Sequence, residues 1–251
     1  MWGIIPAAGK GSRIQPLAFS KELLPLSGRG VDNAHRPRAV SDFLVERLVR
    51  GGAKRICFVI SAEKSDILEY YSRAHCGASI CYTVQPAAAG LCDAIFQALP
   101  VIDLQEPVLI GLPDTIWFPE DGFCQLDDDR FSFLLFPVRD PHLFDSVEQD
   151  EAGHITRIRV KDVRTPSSLI WGAFKMPGFV LQQLFDLWIE RQRADEYIGT
   201  LVNEWIARGG TAWGVPVGKS YYDVGTMAGY VEAMRMLSEG VNAAAAGSVF
   251  E

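Results

Sequence analysis

A chain of 251 residues with 48% hydrophobic side chains can bury a substantial core, which excludes a disordered or fibrous protein. Its formal charge of −7 is the wrong sign for a nucleic-acid surface, although a local cationic pocket can still hold a small anion. No apolar run approaches the roughly 20 residues a membrane span needs, and the start "MWGIIPAAGKG" has no basic leader, so no membrane partner and a cytoplasmic setting are expected.

Strand-like runs recur at 2–6, 55–60, 79–84, 107–112, 131–137, 168–175 and 212–217. Between the early ones lie helical patterns. Val40, Phe43, Leu44 and Leu48 share one helix face, and "GLCDAIFQAL" (90–99) follows the strand at 79–84. Strands alternating with helices predict an α/β fold with a mixed, mostly parallel central sheet flanked by helices. Further on, 148–162 reads as a turn and an edge-type strand, and 178–208 as two helices, the second stopped by Gly209 and Gly210. No linker interrupts the chain, so one domain is expected over 1–240, with a tail at 241–251 that extends a helix or frays. The five cysteines form no CxxC pair and the four His are scattered, which argues against a disulfide framework and a His-based metal site.

The chemistry concentrates in "IIPAAGKGSRIQPLAFSKELLPL" (4–26). An apolar strand runs into a turn in which Gly9 and Gly11 can adopt positive φ and bring backbone N–H groups close to a phosphate. Small Ala7 and Ala8 leave room for a flat base. The order of residues is neither a P-loop nor GxGxxG, since the last position of the latter is Ile14. The glycines alone serve a tight strand-to-helix connection equally well. Arg13 and Lys21, two cations flanking the turn in apolar surroundings, shift the reading to an anion, because each needs a partner.

"GKGSRIQPLAFSKELLPL" resembles the signature of the sugar nucleotidyltransferases, which join a nucleoside triphosphate to a sugar 1-phosphate. "KELLPL" is similar to the form in the bacterial UTP–glucose-1-phosphate uridylyltransferases, and glucose-1-phosphate thymidylyltransferases are similar too. Ser20 stands where the family usually has Pro. The resemblance implies a Rossmann-like nucleotide-diphospho-sugar transferase fold, with a nucleotide-binding part at about 1–120 and a sugar-phosphate-binding part at about 121–240. It leaves no length for the left-handed β-helix domain of some relatives.

Other segments extend the resemblance. "VQPAAAGLCDAI" (84–95) is similar to the family's base-reading segment, which implies that Gln85 and Gly90 meet a uracil or thymine edge, alongside Ala8, Gly9 and Gly11 on the nucleotide. An amide has the donor and acceptor that a pyrimidine imide needs. Asp114, straight after an apolar strand in "IGLPDTIWF", and Asp223 in "YYDVGT" match the family's metal carboxylates, implying Mg²⁺. Lys161 in "VKD" and Gly172 in "IWGAF" match its sugar-phosphate side. Arg13 and Lys21 take the catalytic positions on the triphosphate. Two departures weaken the glucose match: Asp145 replaces a Gly that approaches the sugar, and Val160 replaces a Glu that accepts its hydroxyls. They keep open another phosphomonoester, such as phosphocholine, or a binding protein without turnover. A dehydrogenase reading fails, because "FVISAEKSD" offers only Glu63 amid Ser and Lys for a ribose. The partners implied are a nucleoside triphosphate and a sugar 1-phosphate, and self-association into a homo-oligomer stays open. Segment 28–37 has no functional reading.

Overall fold

The computed structural model describes residues 1–26 and 37–247. Most of segment 28–37, and the last four residues of the tail, lie outside these. The elements in chain order are β1 (Trp2–Pro6), β2 (Pro25–Leu26), β3 (Arg38–Ala39), α1 (Val40–Arg50), β4 (Arg55–Ile60), α2 (Ser65–Tyr71), β5 (Ala74–His75) and β6 (Ala78–Val84). Then come α3 (Gly90–Phe96), β7 (Val108–Gly111), β8 (Thr115–Phe118), β9 (Phe131–Pro137), β10 (Asp145–Gln149), β11 (Ile155–Val160) and β12 (Leu169–Met176). The chain continues with α4 (Gly178–Glu190), α5 (Ile198–Ala207), β13 (Ala212–Val215), β14 (Ser220–Asp223) and α6 (Met227–Gly247).

One mixed sheet of ten strands forms the centre, in the order β11-β10-β12-β7-β1-β4-β6-β5, with β9 paired to β12 and β13 to β9. The inner strands β7, β1, β4 and β6 are mutually parallel. Their side chains alternate between two buried layers. Ile4, Cys57, Val59, Val108 and Ile110 enter one core, and Ile5, Ile56, Phe58 and Leu109 the other. Continuous apolar runs are what a strand covered on both faces requires. Leu44 and Leu48 of α1 and Ile67 of α2 cover the second layer; Ile95 of α3, Leu184 of α4 and Leu201 of α5 cover the first. Asp42 holds the start of α1 by accepting the Ala39 N–H at 3.0 Å. A third core joins Ile14, Leu24, Val40, Phe43, Ile116, Val224 and Ala233, and so docks the early loop against α6.

The main sheet and the longer helices agree with the pattern in the sequence; besides the short strands β2, β3, β5, β8 and β14, which lie outside the strand-like runs, there are three local differences. The helix expected over 90–99 ends at Phe96 and gives way to a tight turn at Leu99–Val101. Pro100 cannot continue an α-helix and disfavours it in the residue before. The segment 148–162 belongs to an antiparallel hairpin, β10 with β11, that begins at Asp145. And α2 was not foreseen: at seven residues it is too short for a periodic signal and buries only Ile67 and Tyr71. Among the described residues no helix is long and apolar enough to cross a membrane, and all five cysteines are free thiols.

Two features of this topology build a site. Because β1 and β7 are parallel neighbours, the turn after Pro6 and the Leu112–Asp114 segment after β7 emerge at the same sheet edge. Strand β12 pairs with β7 only over Ala173–Met176, so its first half runs past that edge and carries β10, paired at Ser146 with Ile170.

Candidate active site

A cavity of about 540 Å³ opens between the carboxyl edge of β1 and β7 and the overhanging β12–β10–β11 segment. One end holds Gly9, Arg13, Lys21, Asp114 and Asp223; the other holds Asp145, Lys161, Trp171 and Tyr197. Ligands of open α/β sheets sit beyond the carboxyl ends of the strands, and this cavity is at that position.

The first end is built by backbone pairing. Strand β8 leaves Asp114 and pairs antiparallel with β14, with Asp223 opposite Thr115. The Val224 N–H donates to the Asp114 carbonyl at 2.9 Å, which locks the two acidic residues side by side. Gly225 packs against both. A Cβ added there would lie 2.7 Å from Asp114 Oδ2, 2.9 Å from Asp223 Oδ1 and 3.2 Å from an Arg13 guanidinium nitrogen. The Gly225 N–H donates to Asp223 Oδ1 at 2.9 Å.

Each carboxylate has a cation. Lys21 Nζ donates to Asp114 Oδ2 at 2.5 Å, and Arg13 donates to Asp223 Oδ2 at 2.9 Å. Burial disfavours the charged form of Asp114, but the Lys21 ammonium beside it outweighs this and holds the carboxyl below its usual range. The reciprocal holds for Lys21, where burial opposes the charge and Asp114, with help from Glu22, pulls the ammonium above its usual range. Arg13 is more open, its side chain 60% exposed. Gly11, at φ +67°, explains how Lys21 reaches in: a Cβ at Gly11 would lie 2.8 Å from Lys21 Cδ.

Two carboxylates whose oxygens both lie within 3 Å of one point beside Gly225 are the oxygen donors a small hard cation takes. Among the described residues no cluster of three or more His, Cys, Asp or Glu could form a closed metal cage. A two-carboxylate donor set fits a cation that keeps its waters and takes further oxygens from a phosphate.

At the other end Asp145 faces Val160 across the β10–β11 ladder, which sets it next to Lys161. Lys161 adopts the left-handed conformation, φ 46°, uncommon for a residue with a Cβ. Its Nζ lies 4.8 Å from the centre of the Tyr197 ring and 3.5 Å from the Tyr197 hydroxyl. Burial pushes the Asp145 carboxyl up to about 6, against the pull of Lys161 and the Trp171 indole.

Of the residues singled out in the sequence, Gly9, Arg13, Lys21, Asp114, Asp223 and Lys161 line the cavity. Gly11 supports Lys21, and Gly172 sits behind the wall against the Phe136 and Tyr221 rings. Ala8 is buried under the turn. Gln85 and Gly90 come together, the Gln85 amide donating to the Gly90 carbonyl at 3.2 Å and to Asp93 at 2.7 Å. Neither lines the cavity, whereas Leu91 does. Sequence reasoning missed Trp171, Tyr197 and Tyr221, which are unremarkable aromatics until the fold gathers them. It also missed Glu22, though its place beside Lys21 was a signal. Glu63, weighed for a ribose, is exposed; its neighbour Lys64 turns inward instead.

The family model described as nucleotidyl transferase matches residues 2–240. The UTP–glucose-1-phosphate uridylyltransferase AglF of Haloferax volcanii is 27% identical over 187 residues, which cover 69% of this chain and 70% of that protein. The bifunctional protein GlmU of Burkholderia thailandensis is 27% identical over 164 residues, 62% of this chain and 32% of the relative, so the chain matches about a third of that relative's length. Among solved structures, a Bacillus anthracis chain assigned as a glucose-1-phosphate thymidylyltransferase, in complex with sucrose, superposes with a TM-score of 0.80 at 21% identity. That match covers 94% of this chain and 95% of the other. A UDP-glucose pyrophosphorylase complexed with UDP-glucose superposes with a TM-score of 0.75 at 20% identity, covering 95% and 98%. These superpositions establish the shared fold.

Proposed function

This chain belongs to the nucleotidyl transferase family, and from that premise we propose that it joins a pyrimidine nucleoside triphosphate, UTP or dTTP, to a sugar 1-phosphate, releasing pyrophosphate. The observation that carries the reading is the single cavity with Arg13, Lys21 and paired Asp114 and Asp223 at one end and Lys161 at the other. The relative AglF is named for UTP and glucose 1-phosphate, which makes that pair the first to test.

In this reading a phosphate oxygen of the acceptor attacks the α-phosphorus in line and pyrophosphate leaves on the opposite side. A phosphate monoester is already an adequate nucleophile, so no side chain need remove a proton. The protein's work is positioning and neutralising charge. The turn at Gly9 and Gly11 offers backbone N–H groups to the triphosphate. Lys21 leaves Asp114 for the α-phosphate, and Arg13 leaves Asp223 for the β- and γ-phosphates as they become pyrophosphate. Asp114 and Asp223 are thereby free to hold Mg²⁺, which when bound neutralises phosphate oxygens. Lys161 holds the incoming phosphate. Gln85 and Gly90, which lie outside the cavity next to its lining residue Leu91, are the residues proposed for the base.

A second reading is favoured by Asp145. A carboxylate kept in a cavity beside Trp171 and Tyr197 also suits an acceptor with a cationic head, such as phosphocholine. Both readings are tested by incubating the protein and Mg²⁺ with UTP, dTTP, CTP, GTP or ATP against glucose 1-phosphate, other sugar phosphates and phosphocholine, and identifying the products by mass. A nucleotide sugar supports the first reading, and a nucleotide diphosphocholine the second.

A further inference from the structure

Lys21 is gripped on both sides by one short segment at the start of α2. On one side, Ser20 donates to Asp66 twice, through its N–H at 2.6 Å and its hydroxyl at 2.7 Å. A proline at this position, the usual residue in the family's signature, would have neither donor. On the other side, both carboxylate oxygens of Glu22 accept from Lys64 Nζ at 2.8 Å. The same Nζ donates to the carbonyl of Ala7 at 2.6 Å, at the base of the glycine turn. Glu22 is fully buried and Lys64 nearly so.

This arrangement is expensive. Burial pushes the Glu22 carboxyl up and the Lys64 ammonium down, the directions expected when two charges leave water. A buried ion pair is often no more stabilising than an apolar pair of the same size. Its retention therefore calls for something besides stability, and its position supplies it. Lys64 touches both the turn, at the Ala7 carbonyl, and the segment carrying Lys21, at Glu22. The Glu22 carbonyl is fixed as well, by the Ser41 hydroxyl at 2.6 Å.

We infer that Lys64 and Asp66 are positioning residues: through Glu22 and Ser20 they hold Lys21 at a fixed height over the phosphate-binding turn. The inference rests on the triphosphate role of Lys21 proposed above. The clamp acts through Lys21, so its loss should matter only while Lys21 is present.

The test is steady-state pyrophosphate release and calorimetric binding of UTP and dTTP in four proteins: parent, Glu22→Gln/Lys64→Met, Lys21→Met, and the triple variant. The double variant removes both charges together and leaves no buried charge unpaired. It is expected to melt within a few degrees of the parent and to lose ten- to a hundredfold in kcat/KM for the triphosphate. Adding the same two changes to Lys21→Met is expected to cost less than threefold more. An equal loss in both backgrounds, or a parent-like double variant, overturns the inference. If Lys21→Met alone matches the parent, it is the role of Lys21 that fails, and the clamp has nothing to position. Ser20→Pro provides a second route if the double variant folds poorly. Ser20 already has φ −61°, the value proline prefers, so the change removes the two donors with little backbone strain. It is expected to lower kcat/KM severalfold at an unchanged melting temperature, and unchanged kinetics would contradict the clamp.

Discussion

Asp114 and Asp223 stand side by side because Asp223 pairs with Thr115, the residue after Asp114, in a two-stranded ladder outside the main sheet. The ladder fixes their backbones, and Gly225, lacking a Cβ, lets both carboxylates pack against it. A methyl group at 225 would press on the ends of two side chains rather than on backbone. Gly225→Ala is therefore expected to fold normally and to lose at least tenfold in kcat/KM, by the order of magnitude that misplacing reacting groups costs. Thermal melting and steady-state kinetics on the one variant check both halves, and a fully active Gly225→Ala would show that the exact placement of the two carboxylates is not used.

The cations make the second prediction. Removing a charge aimed at the developing charge of a transition state costs on the order of 10²–10³ in rate. That loss is expected for Arg13→Ala and for Lys21→Ala. A loss of tenfold or less in either, measured as kcat/KM for the triphosphate, contradicts the role assigned to it.

Chelation gives the third. Pyrophosphate release is expected to stop in excess EDTA and to return on adding Mg²⁺, with Asp114→Asn and Asp223→Asn each reduced by about 10²-fold at saturating Mg²⁺. Activity that survives exhaustive chelation would remove the metal from the account and leave the two carboxylates as partners of Lys21 and Arg13 alone.

Asp145 gives a prediction in pH. Burial raises its carboxyl from the ordinary 3.8 to about 6. The folded protein therefore binds more protons than the unfolded chain between these values, and the group's contribution to stability falls as pH rises through that window. Asp145→Asn abolishes this dependence. The variant is expected to melt higher than the parent at pH 7.5, by at most about 3 kcal/mol of stability, and to match it near pH 4. An equal melting difference at both pH values would show that the carboxyl is not held out of its usual range.

Much of this was legible in the sequence because it is local. Continuous apolar runs marked the inner strands, and the spacing of Val40, Phe43, Leu44 and Leu48 marked α1. Arg13 and Lys21 could be singled out as cations flanking a glycine turn in apolar surroundings, and Asp114 because it follows a strand at the edge where ligands bind. Asp223 was legible only through its motif; nothing in "YYDVGT" states that it pairs with Thr115, since ladder partners far apart in the chain leave no periodic trace. The aromatic end of the cavity was hidden for the same reason. Trp171 faces it only because β12 overruns β7, and Tyr197 because it lies in the turn before α5. Nothing in the polar stretch "SAEKSD" marks Lys64, and only the fold turns it under the glycine turn.

The most direct test of the account is pyrophosphate release by the unaltered protein with Mg²⁺, UTP or dTTP and glucose 1-phosphate. Release that needs both substrates, equimolar with the nucleotide sugar formed, is the expected result. A protein that binds the triphosphate yet releases no pyrophosphate with any phosphomonoester would contradict it and leave a nucleotide-binding protein without turnover.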